Sequence, residues 1–208
     1  MDLLFSPAFD LLGSAVTWLE LLAFVLAVWM VVCNIRVNPT GWPLAIVSSL
    51  LYFLLFWKNR LYGDASLQVV FVLVAGWGWR QWLRGTMRVN AREAPLQVRS
   101  LGTRGRLSLL VLLALGWPAV ALFLSRYTDT DVPWLDAFPT VGSLIGQWLL
   151  GRKYIENWPA WVAVNAAGSG LFAYKGLWLT TVLYVIFLAM SFVGWREWVK
   201  LARKGSLC

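Results

Sequence analysis

The chain has 208 residues, 60% of them hydrophobic and 13% charged, with a formal net charge of +8. A soluble domain of this size cannot hide so much apolar surface in one core, so lipid is the expected solvent. Histidine is absent and only two cysteines occur. That removes the commonest general base, the Ser-His and Cys-His pairs, a disulfide framework and a metal cluster.

Apolar runs of about 20 residues, the length that crosses a bilayer, predict seven spans near 17–36, 42–57, 64–83, 107–125, 135–150, 158–174 and 177–195. The second and fifth read as short. The N-terminal stretch carries Asp2 and Asp10 in place of a basic signal-peptide region, so the first span is expected to be retained. Of the 18 basic residues, 14 fall in alternate connections: Arg36, the run from Arg80 to Arg106, Arg152 with Lys153, and Arg196 to Lys204. Lys58, Arg60, Arg126 and Lys175 fall in the others, alongside Asp129 and Asp131. The positive-inside rule therefore puts the N-terminus outside and the C-terminus inside. This lopsidedness also accounts for the net charge without nucleic acid.

Shifting the chain by 116 residues aligns 17–82 with 133–198 without a gap, and 16 of the 66 pairs are identical. Trp42-Pro43 matches Trp158-Pro159, and Gly78-Trp79-Arg80 plus Trp82 matches Gly194-Trp195-Arg196 plus Trp198. A chance register among Leu and Val does not produce such matches. Three spans per copy and one between them give an all-α integral membrane protein in a three-one-three arrangement of two parallel triple-helix repeats. The expected divisions are an outer segment 1–16, a first repeat 17–84, an inside loop and linker helix 85–126, a second repeat 127–199 and a tail 200–208.

In the sixth span, Trp158, Trp161, Asn165, Gly168 and Phe172 share a helical face. Its counterpart in the second span is Trp42, Ala45, Ser49, Tyr52 and Phe56, with Phe53 beside it. Both stripes are expected to turn toward the axis between the repeats, because an amide facing lipid lacks partners. Trp42 and Trp158 fit an interfacial belt or packing as well as a ligand contact. Trp161 and Asn165 lie deeper, where belt logic weakens. The third helix of each repeat adds Gln68, aligned with Tyr184, and Asp64, aligned with Thr180. Gln68 and Tyr184 suit interhelical hydrogen bonds or a ligand. Glu156 and Asn157 stand at the inner mouth of the sixth helix, where a carboxylate is also favoured by capping and the helix dipole.

No acidic residue sits at mid-span, so no proton or sodium relay is expected and uncoupled passage is the simpler reading. Aromatic planes with sparse amides and no Arg or Lys suit a neutral or cationic aromatic nucleoside better than a nucleotide. A retinal protein needs a lysine within the last span, and Lys175 and Lys200 only flank it. An intramembrane enzyme needs paired Asp or a Ser with a base, and neither pattern occurs. No metal or cofactor is expected.

The stretch Glu156-Asn-Trp-Pro-Ala-Trp-Val-Ala-Val-Asn165, the repeated Trp-Pro and Gly-Trp-Arg-x-Trp motifs and the three-one-three layout resemble the PnuC family of bacterial nicotinamide riboside transporters. The resemblance covers roughly 17–200. It implies a fold similar to the SWEET sugar transporters, a homotrimer in the bacterial inner membrane, and passive uptake of nicotinamide riboside with trapping by a separate cytoplasmic kinase. It also implies substrate contacts at Trp158, Trp161 and Asn165. Some members of that family carry other B-vitamin precursors, such as thiamine or riboflavin.

Overall fold

A computed structural model describes residues 6–11, 13–58, 62–89, 92–128 and 130–205. Asp2, Arg60, Asp129 and Cys208 lie outside the described residues, as do the side chains of Phe56, Lys58, Asp64, Arg88 and Arg92.

Seven helices occur among the described residues: α1 Trp18–Ile35, α2 Gly41–Lys58, α3 Tyr62–Arg84, α4 Thr103–Tyr127, α5 Pro133–Gly151, α6 Asn157–Tyr174 and α7 Trp178–Gly205. They agree with the expected spans to within four residues except at the end of α7, which continues ten residues further. The second and fifth spans are longer than their apolar runs suggested, because polar and proline-bearing ends join the helices. Windows in α1, α4 and α7 are by themselves long and apolar enough to cross a bilayer.

Two small hairpins lie outside the bundle. β1 Pro7–Leu11 pairs antiparallel with β2 Ser14–Thr17, and β3 Thr86–Val89 pairs with β4 Arg92–Pro95 in the register Thr86↔Pro95 to Val89↔Arg92. The segments expected as plain loops therefore carry local strand structure, satisfying backbone groups that an open loop leaves to water. β2 runs into α1, where Thr17 and Glu20 form a capping box: Glu20 N–H donates to Thr17 Oγ1 at 3.3 Å and Thr17 N–H donates to Glu20 Oε2 at 2.8 Å.

Helix neighbours follow the duplication. α2 packs on α1 and α3, and α6 packs on α5 and α7; between the halves, α1 meets α7 and α3 meets α5. The linker α4 packs on α5 and leaves Leu107, Leu110, Leu112, Leu115 and Leu122 exposed, as a lipid-facing helix would. The turns after α1 and α5 are copies of one another. Asn38 N–H donates to Cys33 O and Val37 N–H to Asn34 O; 116 residues on, Tyr154 N–H donates to Leu149 O and Lys153 N–H to Leu150 O. Both are Schellman closures. They place Val37 (φ 54°) and Lys153 (φ 56°) in the left-handed region, where glycine is usual.

Candidate functional site

The inner ends of the halves are filled by tryptophan. Trp42 on α2 lies flat against Gly78 on α3, where an added Cβ would come within 2.3 Å of the ring, and Trp158 on α6 lies against Gly194 on α7 in the same way at 2.4 Å. Only glycine admits such an approach. Trp82 meets Trp42 edge to face at 5.5 Å, and Trp198 meets Trp158 at 5.6 Å, both with ring planes near perpendicular. A contact at 6.2 Å between Trp82 and Trp198 joins the pairs into one buried cluster with Ala45, Ala75 and Leu150. Trp42 and Trp158 are 1% and 2% exposed, so in this conformation neither ring stands in an interfacial belt.

The α6 stripe, expected to turn toward the axis between the repeats, divides its contacts between two neighbouring helices. Trp158, Asn165 and Gly168 face α7 of their own half, whereas Trp161 lies on Gly146 of α5. The reason is packing: α6 sits between α5 and α7, and the glycines opening room for large rings lie on both neighbours. Asn165 Nδ2 donates to Ser191 Oγ at 3.2 Å, and Ser191 Oγ donates to Phe187 O at 2.7 Å. Asn165 is 3% exposed. A buried amide mid-helix is thus held by a serine that occupies the position of Ala75 in the other half.

Further out, Tyr184 covers Gly168 and touches Phe172 at 4.8 Å and Phe187 at 6.1 Å. Tyr52 of the first half lies within electrostatic reach of Tyr184 and Glu20, so these two phenols come from opposite halves to one neighbourhood. Phe53 stacks on Trp57 at 5.6 Å. Gln68, Ser49 and Thr180 are half-buried on α3, α2 and α7. Ser48, which sequence reasoning passed over, is the more buried serine and donates to Ala23 O at 3.4 Å. Gln147 was also missed; its Oε1 is buried without a hydrogen-bond partner, on α5 beside the Gly146 that seats Trp161. The signal available was a lone amide in an apolar helix.

At the inner mouth, Glu156 makes no side-chain cap on α6. Its carboxylate instead accepts from Ser100 Oγ at 2.9 Å, Leu101 N–H at 3.0 Å and Arg106 Nε and Nη2 at 3.0 and 2.9 Å. The capping explanation is replaced by a latch that ties the start of α4 to α6. Asn157 is fully buried and donates to Tyr154 O at 2.6 Å. Lys153 Nζ donates to Leu96 O at 3.0 Å and lies 5.1 Å above the Trp82 ring; burial lowers its pKa from the ordinary 10.5. A cavity of about 600 Å³ opens beside the latch, lined by Arg106, Glu156, Pro159, Trp195 and Arg203 among others. Among the described residues no group of three or more potential metal ligands occurs.

The family model for the nicotinamide mononucleotide transporter matches residues 17–200, both halves and the linker together. The chain belongs to this transporter family. Family relatives include the riboflavin/roseoflavin transporter RibM of Streptomyces davaonensis, 31% identical over 99% of this chain and 96% of RibM. The nicotinamide riboside transporter PnuC of Escherichia coli is 26% identical over 92% of this chain and 89% of its own. A crystal structure of the vitamin B3 transporter PnuC shares the fold, with a TM-score of 0.74 and 24% identity over 90% of this chain and 83% of that one. The expected resemblance is borne out, and the protein is a multi-pass bacterial membrane protein of a transporter family.

Proposed function

We propose that the protein carries nicotinamide riboside across the bacterial inner membrane by facilitated diffusion, one half rocking against the other. The observation that carries this reading is the family match across both halves, joined to a ring-rich interior in which the Asn165 amide is buried against Ser191 and the Phe172 and Tyr184 rings pack on the same pair of helices. A flat ring bearing a sugar suits such surroundings, since ring faces stack and an amide fixes hydroxyls. Trp161, Asn165, Gln68, Tyr52 and Tyr184 are the proposed contacts, with Phe53, Ser49 and Thr180 near them. Trp42 and Trp158 act through packing. Glu156 and Asn157 belong to the inner mouth, where the Arg106 latch would respond to movement of α6. A cytoplasmic kinase would trap the product, and a homotrimer would have a native mass of about three times the 23.5 kDa chain.

A second reading, riboflavin, is favoured by the higher identity to RibM over nearly the whole chain. The two vitamins share a flat heteroaromatic ring bonded through nitrogen to a five-carbon polyhydroxylated group, cyclic in the riboside and open in riboflavin, but differ in ring size and charge. The test is uptake into liposomes without an ion gradient, using labelled nicotinamide riboside and, in parallel, labelled riboflavin, each against unlabelled riboside, riboflavin, thiamine and nicotinamide mononucleotide. Saturable riboside uptake that the mononucleotide fails to displace supports the first reading. Saturable riboflavin uptake with none of the riboside selects the second, and a requirement for a pH or sodium gradient overturns facilitated diffusion. Trp161→Ala or Asn165→Ala is expected to lower uptake at least tenfold in protein that still inserts and assembles.

A further inference from the structure

The last tryptophan of each Gly-Trp-Arg-x-Trp motif does something that the motif's spacing alone does not reveal. Trp82 Nε1–H of α3 donates to Leu150 O at the end of α5, at 3.0 Å. Trp198 Nε1–H of α7 donates to Asn34 O at the end of α1, at 3.1 Å, and is shared with Ile35 O at 3.2 Å. Donors and acceptors are each 116 residues apart, so the two bonds are one feature present twice, and each crosses from one half to the other. Asn34 O and Leu150 O each already accept the N–H of their Schellman turn, from Val37 and Lys153, and take the indole on the second lone pair of the carbonyl, while the indole is a donor only. Both bonds are buried: Trp198 is 0% and Trp82 7% exposed.

We infer that Trp82 and Trp198 are positioning residues that close the inner end of the carrier, and that both indole–carbonyl bonds break when that end opens. The inference deepens the rocking reading above and rests on it. Three observations converge. The bonds tie the third helix of each half to the first helix of the other, which are also the helices packed between the halves. They lie at the ends marked by Arg36 and Arg152, the inner ends by charge. The edge-to-face contacts with Trp42 and Trp158 hold each indole in the orientation its bond requires. In this conformation the inner side is shut, and inward release would have to separate four rings and two donors together.

Cys33 is a natural reporter. It is buried and immediately precedes Asn34, and Thr40 Oγ1 donates to its sulfur at 3.5 Å. In a Cys208→Ser background it is the sole thiol. A membrane-impermeant maleimide applied to inside-out vesicles, without substrate, reads opening at the inner end. Trp82→Phe and Trp198→Phe, which keep an aromatic ring and delete the donor, are each expected to raise the Cys33 labelling rate about fivefold, the worth of one typical hydrogen bond. Right-side-out vesicles should show no increase. Trp117→Phe is the control, since Trp117 Nε1–H donates to Trp134 O at 2.8 Å away from the junction between the halves; its labelling rate should not change. If a Phe variant fails to assemble, replacing that indole by its benzothiophene isostere removes the N–H alone and decides the question. Unchanged labelling in assembled Trp82 and Trp198 variants overturns the inference, as does an equal rise with Trp117→Phe. Because no vitamin is present, that outcome is separable from a wrong substrate, which the uptake experiment reads.

Discussion

Single atoms decide much of the packing around the tryptophans. A methyl at Gly194 would overlap the Trp158 ring, and one at Gly168 would overlap Tyr184 at 2.4 Å. These neighbours are rigid aromatic rings packed at the helix interface, so the strain has few outlets. Gly194→Ala is expected to destabilise by about 1–3 kcal/mol, read as a lower midpoint in detergent thermal unfolding. Gly76, whose added Cβ meets nothing within 4 Å, makes the contrasting substitution, with Gly76→Ala neutral or stabilising. Val37 is the opposite case, a β-branched residue held at φ 54° where the Schellman turn needs a left-handed conformation. Val37→Gly relieves that strain but also removes a side chain packed against the tryptophan cluster, so the midpoint should rise by less than the equivalent of about 1 kcal/mol. The sequence showed Trp42, Trp158, Gly78 and Gly194 to be paired across the repeat. It did not show that each ring lies on its partner's glycine, because helix periodicity gives a residue's face but not which neighbour occupies it.

At the scale of elements, the helices were legible because apolar runs of bilayer length announce themselves, and their ends because Arg, Pro and Gly interrupt them. The inner connections were less so. Nothing in the spacing of Arg106 and Glu156, 50 residues apart, foretold a salt bridge at 2.9 Å, and the hairpin at Thr86–Pro95 lies in a run read only as basic loop. Glu156→Gln keeps an acceptor but removes the charge from a carboxylate that holds Ser100, Leu101 and Arg106. It is expected to increase protease cleavage between 96 and 106 without unfolding the bundle, which limited digestion would show. Lys153 tests the adjoining loop through pH. Burial lowers its folded pKa below 10.5, so between that lowered value and 10.5 the unfolded chain binds more protons than the folded one. Its contribution to stability therefore rises with pH across that window. Lys153→Met should flatten the corresponding rise in a comparison of midpoints from neutral pH to pH 10, and parallel curves for the two proteins would contradict it.

For the whole molecule, the duplication explains why so much of the architecture could be read at once: two copies of one three-helix unit need only one set of signals, joined by a linker helix that restores their orientation. What the duplication hides is where the copies diverge. Asn34 aligns with Leu150, and Gly41 aligns with Asn157, so each half places one asparagine at the joint between its first and second helices, but from opposite sides. In the first half Asn34 occupies the space that Gly41 leaves, its Oδ1 being 2.6 Å from where a Gly41 Cβ would stand. In the second half Asn157 fills the joint itself and ties down Tyr154 O. Both amides keep a buried Oδ1 without a hydrogen-bond partner. Such an oxygen costs about 1–3 kcal/mol of desolvation, and a non-polar residue of similar size relieves it. Asn34→Leu gives the first half the residue of the second, leaves Gly41 in place to accommodate it, and spares the backbone carbonyl that accepts from Trp198. It should therefore raise the unfolding midpoint while Cys33 labelling from the inner side stays slow. A lowered midpoint would mean that the asparagine amide has work to do at this joint that its other atoms perform. Asn157→Leu, by contrast, breaks the bond to Tyr154 O and adds volume at a site that is already full, so the same experiment should find it destabilising.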